Sequence, residues 1–187
     1  MEGGSKISML VVGLGNPGGC YIHSRHNLGQ FLLDNFARNE GLKWVNNKKL
    51  NANLARGSCN GVHYILACPI SFINQSGYPV SRIASYFHIE NSRIVIVYDE
   101  LNLPLGEVKI TTRMGDGGHN GMADVCSKLG ECIRFRVGIG PKENKEMDLK
   151  DYVLSRFSDE EQAAIFYATG TIFNKLKNII ANPPTFD

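Results

Sequence analysis

Arg93-Ile94-Val95-Ile96-Val97-Tyr98-Asp99-Glu100 is the stretch on which the fold turns. Its apolar run, Ile94 to Tyr98, leaves no face for water, so the strand belongs in the middle of a sheet covered by helices on both sides. A carboxylate ending such a strand is not merely solvated. The competing reading makes Asp99-Glu100 a turn into an edge strand, and Pro104 and Gly106 do mark a turn directly after.

Working outward, Met9-Leu10-Val11-Val12 is a second apolar run, closed by Gly13, and reads as a buried strand. A helix is expected from about His26 to Arg38, with Leu28, Phe31, Leu32 and Phe36 on its apolar face. Residues 53–58 and 62–67 form a hairpin around Asn60-Gly61. Ser76 can cap a helix carrying Val80, Ile83, Ala84 and Phe87. Further on come a strand over 107–112, a flexible loop over 115–118, a helix from His119 to Leu129 and a strand over 135–139. Lys142 to Asp151 is polar and reads as an exposed loop. Ser158 caps the last helix, with Glu161 completing a capping box and Ile165, Ala168, Ile172, Leu176 and Ile179 as the buried stripe. Alternating strands and helices specify an α/β domain with helices on both sheet faces. It is expected to span 9–187 as a single domain, after a disordered stretch over 1–8.

The chain has 187 residues, 43% of them hydrophobic, and a formal net charge of +2. That balance neither demands nor excludes nucleic acid, so any basic patch must be local. The five cysteines are odd in number and show no C-x-x-C spacing. A reduced cytosol fits them, and a zinc site does not. The first residues lack the apolar stretch of a signal peptide, and no run is long enough for a membrane helix.

Two His-Asn pairs carry chemistry: Ser24-Arg25-His26-Asn27 and Gly117-Gly118-His119-Asn120-Gly121. Histidine is a base that titrates near neutral pH, and a carboxylate beside it fixes the tautomer and stabilises the imidazolium. Asparagine amides donate hydrogen bonds without charge, which suits an oxyanion or a bound water. Together these are equipment for ester hydrolysis by an activated water. No Ser or Cys stands in a G-x-S-x-G nucleophile elbow.

Blander readings compete. His26 taken alone is a surface or capping residue, Asn120 a helix cap after a Gly-Gly turn, and Phe72-Ile73-Asn74-Gln75-Ser76-Gly77 a packed aromatic with a cap. Gly13-Leu14-Gly15-Asn16-Pro17-Gly18 matches a dinucleotide fingerprint literally. Pro17 removes an N–H from the turn, the helix starts too late, and no acidic residue ends a second strand some twenty positions on. The better reading is a tight turn that aims Asn16 into a crevice at the strand's carboxyl end. Lys109, Arg113, Arg134, Arg136, Lys142 and Lys145 form either a phosphate-binding surface or solvated charge.

These motifs, in this order from Leu10 to about Ile180, resemble bacterial-type peptidyl-tRNA hydrolases. They are Gly13 to Gly18 with Tyr21, Arg25-His26-Asn27-Gly29, Phe72 to Gly77, Asp99 to Pro104 with Gly106, Gly117 to Gly121, and Arg136-Val137-Gly138-Ile139-Gly140. The resemblance implies a three-layer α/β/α domain with a mixed, mostly parallel twisted sheet. It further implies a cytoplasmic monomer that hydrolyses the ester between peptide and tRNA, rescuing tRNA during translation, with no metal and no cofactor. His26 would be the general base and Asp99 its partner. Asn16 and Asn120 would position the tRNA end, water or ester. Asn74 would bind the peptide backbone, Tyr21 and Phe72 would shape the crevice, and His119 would bind there too. Lys109, Arg113 and Arg136 would hold the acceptor stem.

Three positions depart from the usual pattern: Ser24 for Thr, Ile73 for Met and Thr111 for a Lys that helps clamp a tRNA phosphate. Arg113 is the candidate replacement for that Lys. The alternatives are an intron-splicing factor of the same fold, which would ordinarily carry a transit peptide, and a non-catalytic RNA-binding module. The set His26, Asp99, Asn16 and Asn120 speaks against the second.

Overall fold

The computed structural model describes residues 8–113, 115–142 and 146–186. Of the stretch expected to be disordered, residues 1–7 lie outside the described residues; Ser8 already donates its N–H to His63 O at 2.8 Å. One sheet is formed by β1 (Met9–Gly13), β2 (Val45–Asn47), β3 (Ala52–Cys59), β4 (Val62–Pro69), β5 (Ile94–Glu100), β6 (Val108–Thr111) and β7 (Ile133–Gly138). Their order is β2-β3-β4-β1-β5-β7-β6. The four central strands β4, β1, β5 and β7 run parallel, and the strands at both margins pair antiparallel.

β5 lies between β1 and β7 and is buried at every residue. Asp99 and Glu100 belong to the strand, paired with Val137 and Gly138, so the turn-and-edge alternative falls. Side-chain alternation then builds two cores. Val95 and Val97 face α1 (Leu28–Asn39) and α5 (Asp159–Ala181), whereas Ile94, Ile96 and Tyr98 face α2 (Gly77–Phe87) and α3 (Asn120–Leu129). Helices on both faces give the expected three layers. Asn60 and Gly61 close the β3–β4 hairpin at φ 49° and 78°, the positive values that a two-residue turn of this twist needs.

Several local expectations change. Phe31 is 44% exposed, and Leu33 takes its place on the buried face of α1. Ala168 is only half-buried on α5, and Ile180 joins the stripe instead. Ser76 does not cap α2: its hydroxyl donates to Ile73 O, and the Gly77 N–H is taken by Asp124 Oδ2 at 2.7 Å. The stretch read as a loop over 142–151 includes the start of α4 (Leu149–Leu154), capped by Asp148, whose Oδ1 accepts from the Lys150 N–H at 2.7 Å.

The start of α1 touches the sheet main chain to main chain. A Cβ on Gly29 would stand 2.3 Å from Val97 O and 2.8 Å from Leu14 N; one on Gly13 would stand 2.6 Å from Gly29 O. Gly29→Ala is therefore expected to lower stability by about 1–3 kcal/mol, as overpacking does. Gly19, which has open space around it, is the control: Gly19→Ala should leave the urea midpoint unchanged. A wild-type midpoint for Gly29→Ala would show that α1 can lift off the sheet at little cost.

Candidate active site

Loops at the carboxyl ends of β1, β4 and β5 meet the start of α3 around a crevice of about 740 Å³. His26 enters it from a 3-10 turn, Arg25–Asn27, that leads into α1. Asn27 braces this region from behind. Its Oδ1 accepts the Asn16 N–H and its Nδ2 donates to Asn16 O, at 2.9 and 2.8 Å. Asn27 is thus an internal clamp on the Gly13–Gly18 loop and not a donor to a ligand. Asn16 Oδ1 accepts the Ile73 N–H at 2.9 Å, which fixes the amide's orientation and leaves its NH₂ group to donate toward the crevice.

Asp99, 4% exposed, accepts from two histidines. His26 Nδ1 lies 3.0 Å from both carboxylate oxygens, and His119 Nε2 lies 3.0 Å from Oδ1. Burial pushes the Asp99 carboxyl up. The contacts with His119, then those with His26, outweigh burial and hold it well below the usual carboxylate range. An ionised carboxylate only accepts, so both imidazoles donate to it. His26 therefore carries its proton on Nδ1 and presents the Nε2 lone pair. His119 Nδ1 accepts the Met122 N–H at 3.0 Å, so His119, and not Asn120, is the cap of α3. Both ring nitrogens of His119 are engaged within the protein, which leaves only its ring face and edge for a ligand.

Asn120 is exposed at the first residue of α3, and Asn74 is exposed in the 3-10 turn Ile73–Gln75. Both line the crevice. Phe72 is 53% exposed and meets Tyr21 edge to face, centroids 6.4 Å apart, at its mouth. The expected basic surface divides. Lys109 and Arg113 are exposed, and Lys109 pairs across β6–β7 with Arg136, on the same face. Arg136 has a side chain only 16% exposed, and it donates to Glu100 Oε2 at 3.1 Å. Arg134 is buried against Tyr98 and Arg113 O, and serves the fold.

Sequence reasoning missed one wall. Leu149, Val153 and Leu154 of α4 line the crevice together with the loop at Gly117-Gly118. The only hint was Asp148, a cap residue, ahead of Tyr152-Val153-Leu154. Arg25 ties this wall to the His26 turn. Its guanidinium makes a two-point pair with Glu161 at 2.8 and 2.7 Å, Nε donates to Ser155 Oγ, and it stacks between Tyr152 and Phe157. Glu161 also closes the capping box of α5.

His26, Asp99 and His119 also have donor types that bind metals, and their nearest atoms lie within 4.8 Å of one another. The Met122 N–H aimed at His119 Nδ1 keeps the proton on Nε2. A metal at Nε2 would need that ring as an imidazolate, so the donor set favours hydrogen bonding. The depressed Asp99 carboxyl also fixes a pH dependence. Its contribution to stability is full above the ordinary carboxylate value of about 4 and is lost as pH falls through its own lower value. In urea unfolding, the stability gap between the native chain and Asp99→Asn should change as pH falls below about 4. A gap unchanged down to about pH 2 would show that the carboxyl is not held low.

The family model for peptidyl-tRNA hydrolase matches residues 10–185. The peptidyl-tRNA hydrolase of Rickettsia bellii is 35% identical over 175 residues, covering 93% of this chain and 94% of the relative. That of Chloroflexus aurantiacus is 38% identical over 174 residues, covering 91% and 92%. The crystal structure of the Acinetobacter baumannii peptidyl-tRNA hydrolase superposes with a TM-score of 0.86 at 33% identity, covering 95% of this chain and 90% of that one. Matching at this identity over nearly the full length, on the same α/β architecture, places this chain in the peptidyl-tRNA hydrolase family.

Proposed function

We propose that this enzyme hydrolyses the ester joining a peptide to the 3′ end of tRNA by attack of a water that His26 deprotonates. The observation that carries this reading is the buried His26 Nδ1–Asp99 bond, 3.0 Å long, which leaves Nε2 as a base in a crevice-lining side chain. Nε2 takes a proton from water as its oxygen bonds to the ester carbonyl carbon. Asp99 stabilises the imidazolium that results. When the tetrahedral intermediate collapses, the C–O bond to the ribose breaks, and the imidazolium returns the proton to the leaving hydroxyl. Asn16 and Asn120 supply neutral amide donors to the water or the developing oxyanion. Asn74 meets the peptide backbone between Tyr21 and Phe72. Nothing in the geometry favours a non-catalytic RNA-binding or splicing role.

Selectivity for blocked substrates follows from charge. Two carboxylates besides Asp99, Glu100 and Asp148, line the crevice. Both are engaged: Glu100 by Arg136 and Asn102, and Asp148 by the Lys150 N–H. A free aminoacyl ammonium would thus be desolvated without a partner, which is costly. His26→Ala should lose about 10²–10⁴-fold in turnover of N-acetyl-aminoacyl-tRNA while still binding tRNA. The native chain should spare unacetylated aminoacyl-tRNA. Near-normal turnover by His26→Ala, or equal cleavage of both substrates, would overturn the corresponding part.

The acceptor stem is assigned to Lys109 and Arg113, with Arg136 held behind them by Glu100. Phosphate contacts position RNA without reading its sequence. Arg113→Ala should raise KM for the tRNA substrate and flatten its salt dependence through lost counterion release. A wild-type salt slope would show that Arg113 does not stand in for the Lys replaced by Thr111. The setting assigned to this reaction is the cytoplasm, with the chain acting as a monomer. The five unpaired cysteines support the cytoplasmic setting, and among the described residues no helix is long and apolar enough to cross a membrane.

A further inference from the structure

The mechanism above leaves His119 without a part, although it is bound as firmly as His26. Its side chain is 8% exposed. Its ring packs edge-on against Tyr98, centroids 4.8 Å apart, and lies 4.7 Å from the His26 ring. The Met122 N–H, fixed in the first turn of α3, blocks a proton on Nδ1, so the ring cannot flip or change tautomer without losing a bond. His119 is therefore a permanent Nε2–H donor, and it shares Asp99 Oδ1 with His26.

We infer that His119 is a positioning residue that tunes the basicity of His26: by donating to the same Asp99 oxygen, it weakens that carboxylate's hold on a proton at His26. The inference rests on the general-base reading given above. A carboxylate with one fewer donor holds a neighbouring imidazolium more tightly. Without His119, the proton on His26 Nε2 would be released only at higher pH, and less of the enzyme would hold a free base near neutrality.

The other charged and titratable groups around His26 are accounted for. Glu100 at the end of β5 is paired with Arg136 of β7, and Glu161 of α5 with Arg25. At the start of α4, Asp148 caps its own helix and Lys150 stands exposed at the crevice rim. Tyr21 closes the mouth. None of them touches Asp99, so His119 reaches His26 by two routes, that carboxylate and the ring contact itself, and His119→Gln, which gives up the ring but keeps the N–H, separates them.

The two nitrogens of His119 have separable roles. His119→Ser keeps a side-chain oxygen to cap α3 but is too short to reach Asp99, and His119→Asn is a second capping variant should Ser fold poorly. His119→Gln places an amide N–H where Nε2 stood and gives up the cap. Titration of the His26 ring by NMR, in the full chain, reads the effect without reference to turnover. In His119→Ser the His26 midpoint should rise by about one pH unit. The acid limb of kcat/KM should move with it. In His119→Gln the midpoint should stay near wild type while the melting temperature falls. An unmoved His26 midpoint in His119→Ser, or equal shifts in Ser and Gln, overturns the inference. If the His26 midpoint moves and the acid limb does not, the inference stands and the general-base reading falls.

Discussion

The first turn of α1 lies on the ends of β1 and β5 with nothing but main chain between them, and the crevice is built out from that contact. Leu14 N–H donates to Val97 O, and Gln30 N–H donates back to Leu14 O, so the approach is stitched as well as close. Any side chain at Gly13 or Gly29 would hold the turn away by an ångström or more, and His26 sits just before it. A hydrogen bond of 3.0 Å does not survive such a shift, and misplacing a catalytic group by that much is costly in rate. The same device recurs twice. A Cβ on Gly138 would meet Pro104 O at 1.9 Å, which lays the segment after Asp99 onto β7. One on Gly121 would meet Ile73 at 2.8 Å, which brings α3 and the Asn74 turn together.

Close main-chain packing has an electrostatic counterpart. Asp99 and Glu100 are consecutive, both buried, and both end a strand whose other residues are apolar. Their carboxylates are tolerable only because each has its own set of donors: two imidazoles for Asp99, and Arg136 with Asn102 for Glu100. Removing one partner from such a group leaves a charge uncompensated, which destabilises more than the pair itself stabilises. The adjacent carboxylates thus divide the donors around the crevice between them, one set on the His26 side and one on the side of Arg136 and Lys109.

Strong periodicity made most of this legible in the sequence. The apolar run ending at Asp99 marked the central strand, Asn60-Gly61 marked the hairpin, and Ser158 with Glu161 marked the start of α5. His26 and Asp99, 73 residues apart, were paired by motif and meet at 3.0 Å. What stayed hidden was whatever depends on which of several polar groups wins a partner. Ser76 reads as a cap, but Asp124 from another helix takes that N–H. His119 and Asn120 are adjacent, and local propensity favours the Asn as cap, yet packing of Tyr98 against the His ring decides the contest. Arg136 reads as a free cation because its partner Glu100 lies 36 residues away on the neighbouring strand. The α4 wall was masked by the charge of 142–151, since a helix of six residues is too short to show a periodic face.

The ion pair between Arg25 and Glu161 has a consequence for how the molecule comes apart. Glu161 serves two structures at once, the first turn of α5 and the turn that carries His26. Fraying of α5 at its amino end therefore does not remain a local event. It frees Arg25, loosens the aromatic sandwich of Tyr152 and Phe157, and detaches α4 from the reaction crevice in the same step. By these contacts α5, the α4 wall and the His26 turn should open as one unit, with amide protection that rises and falls together. Activity would then be lost on partial unfolding while the β-sheet is still intact.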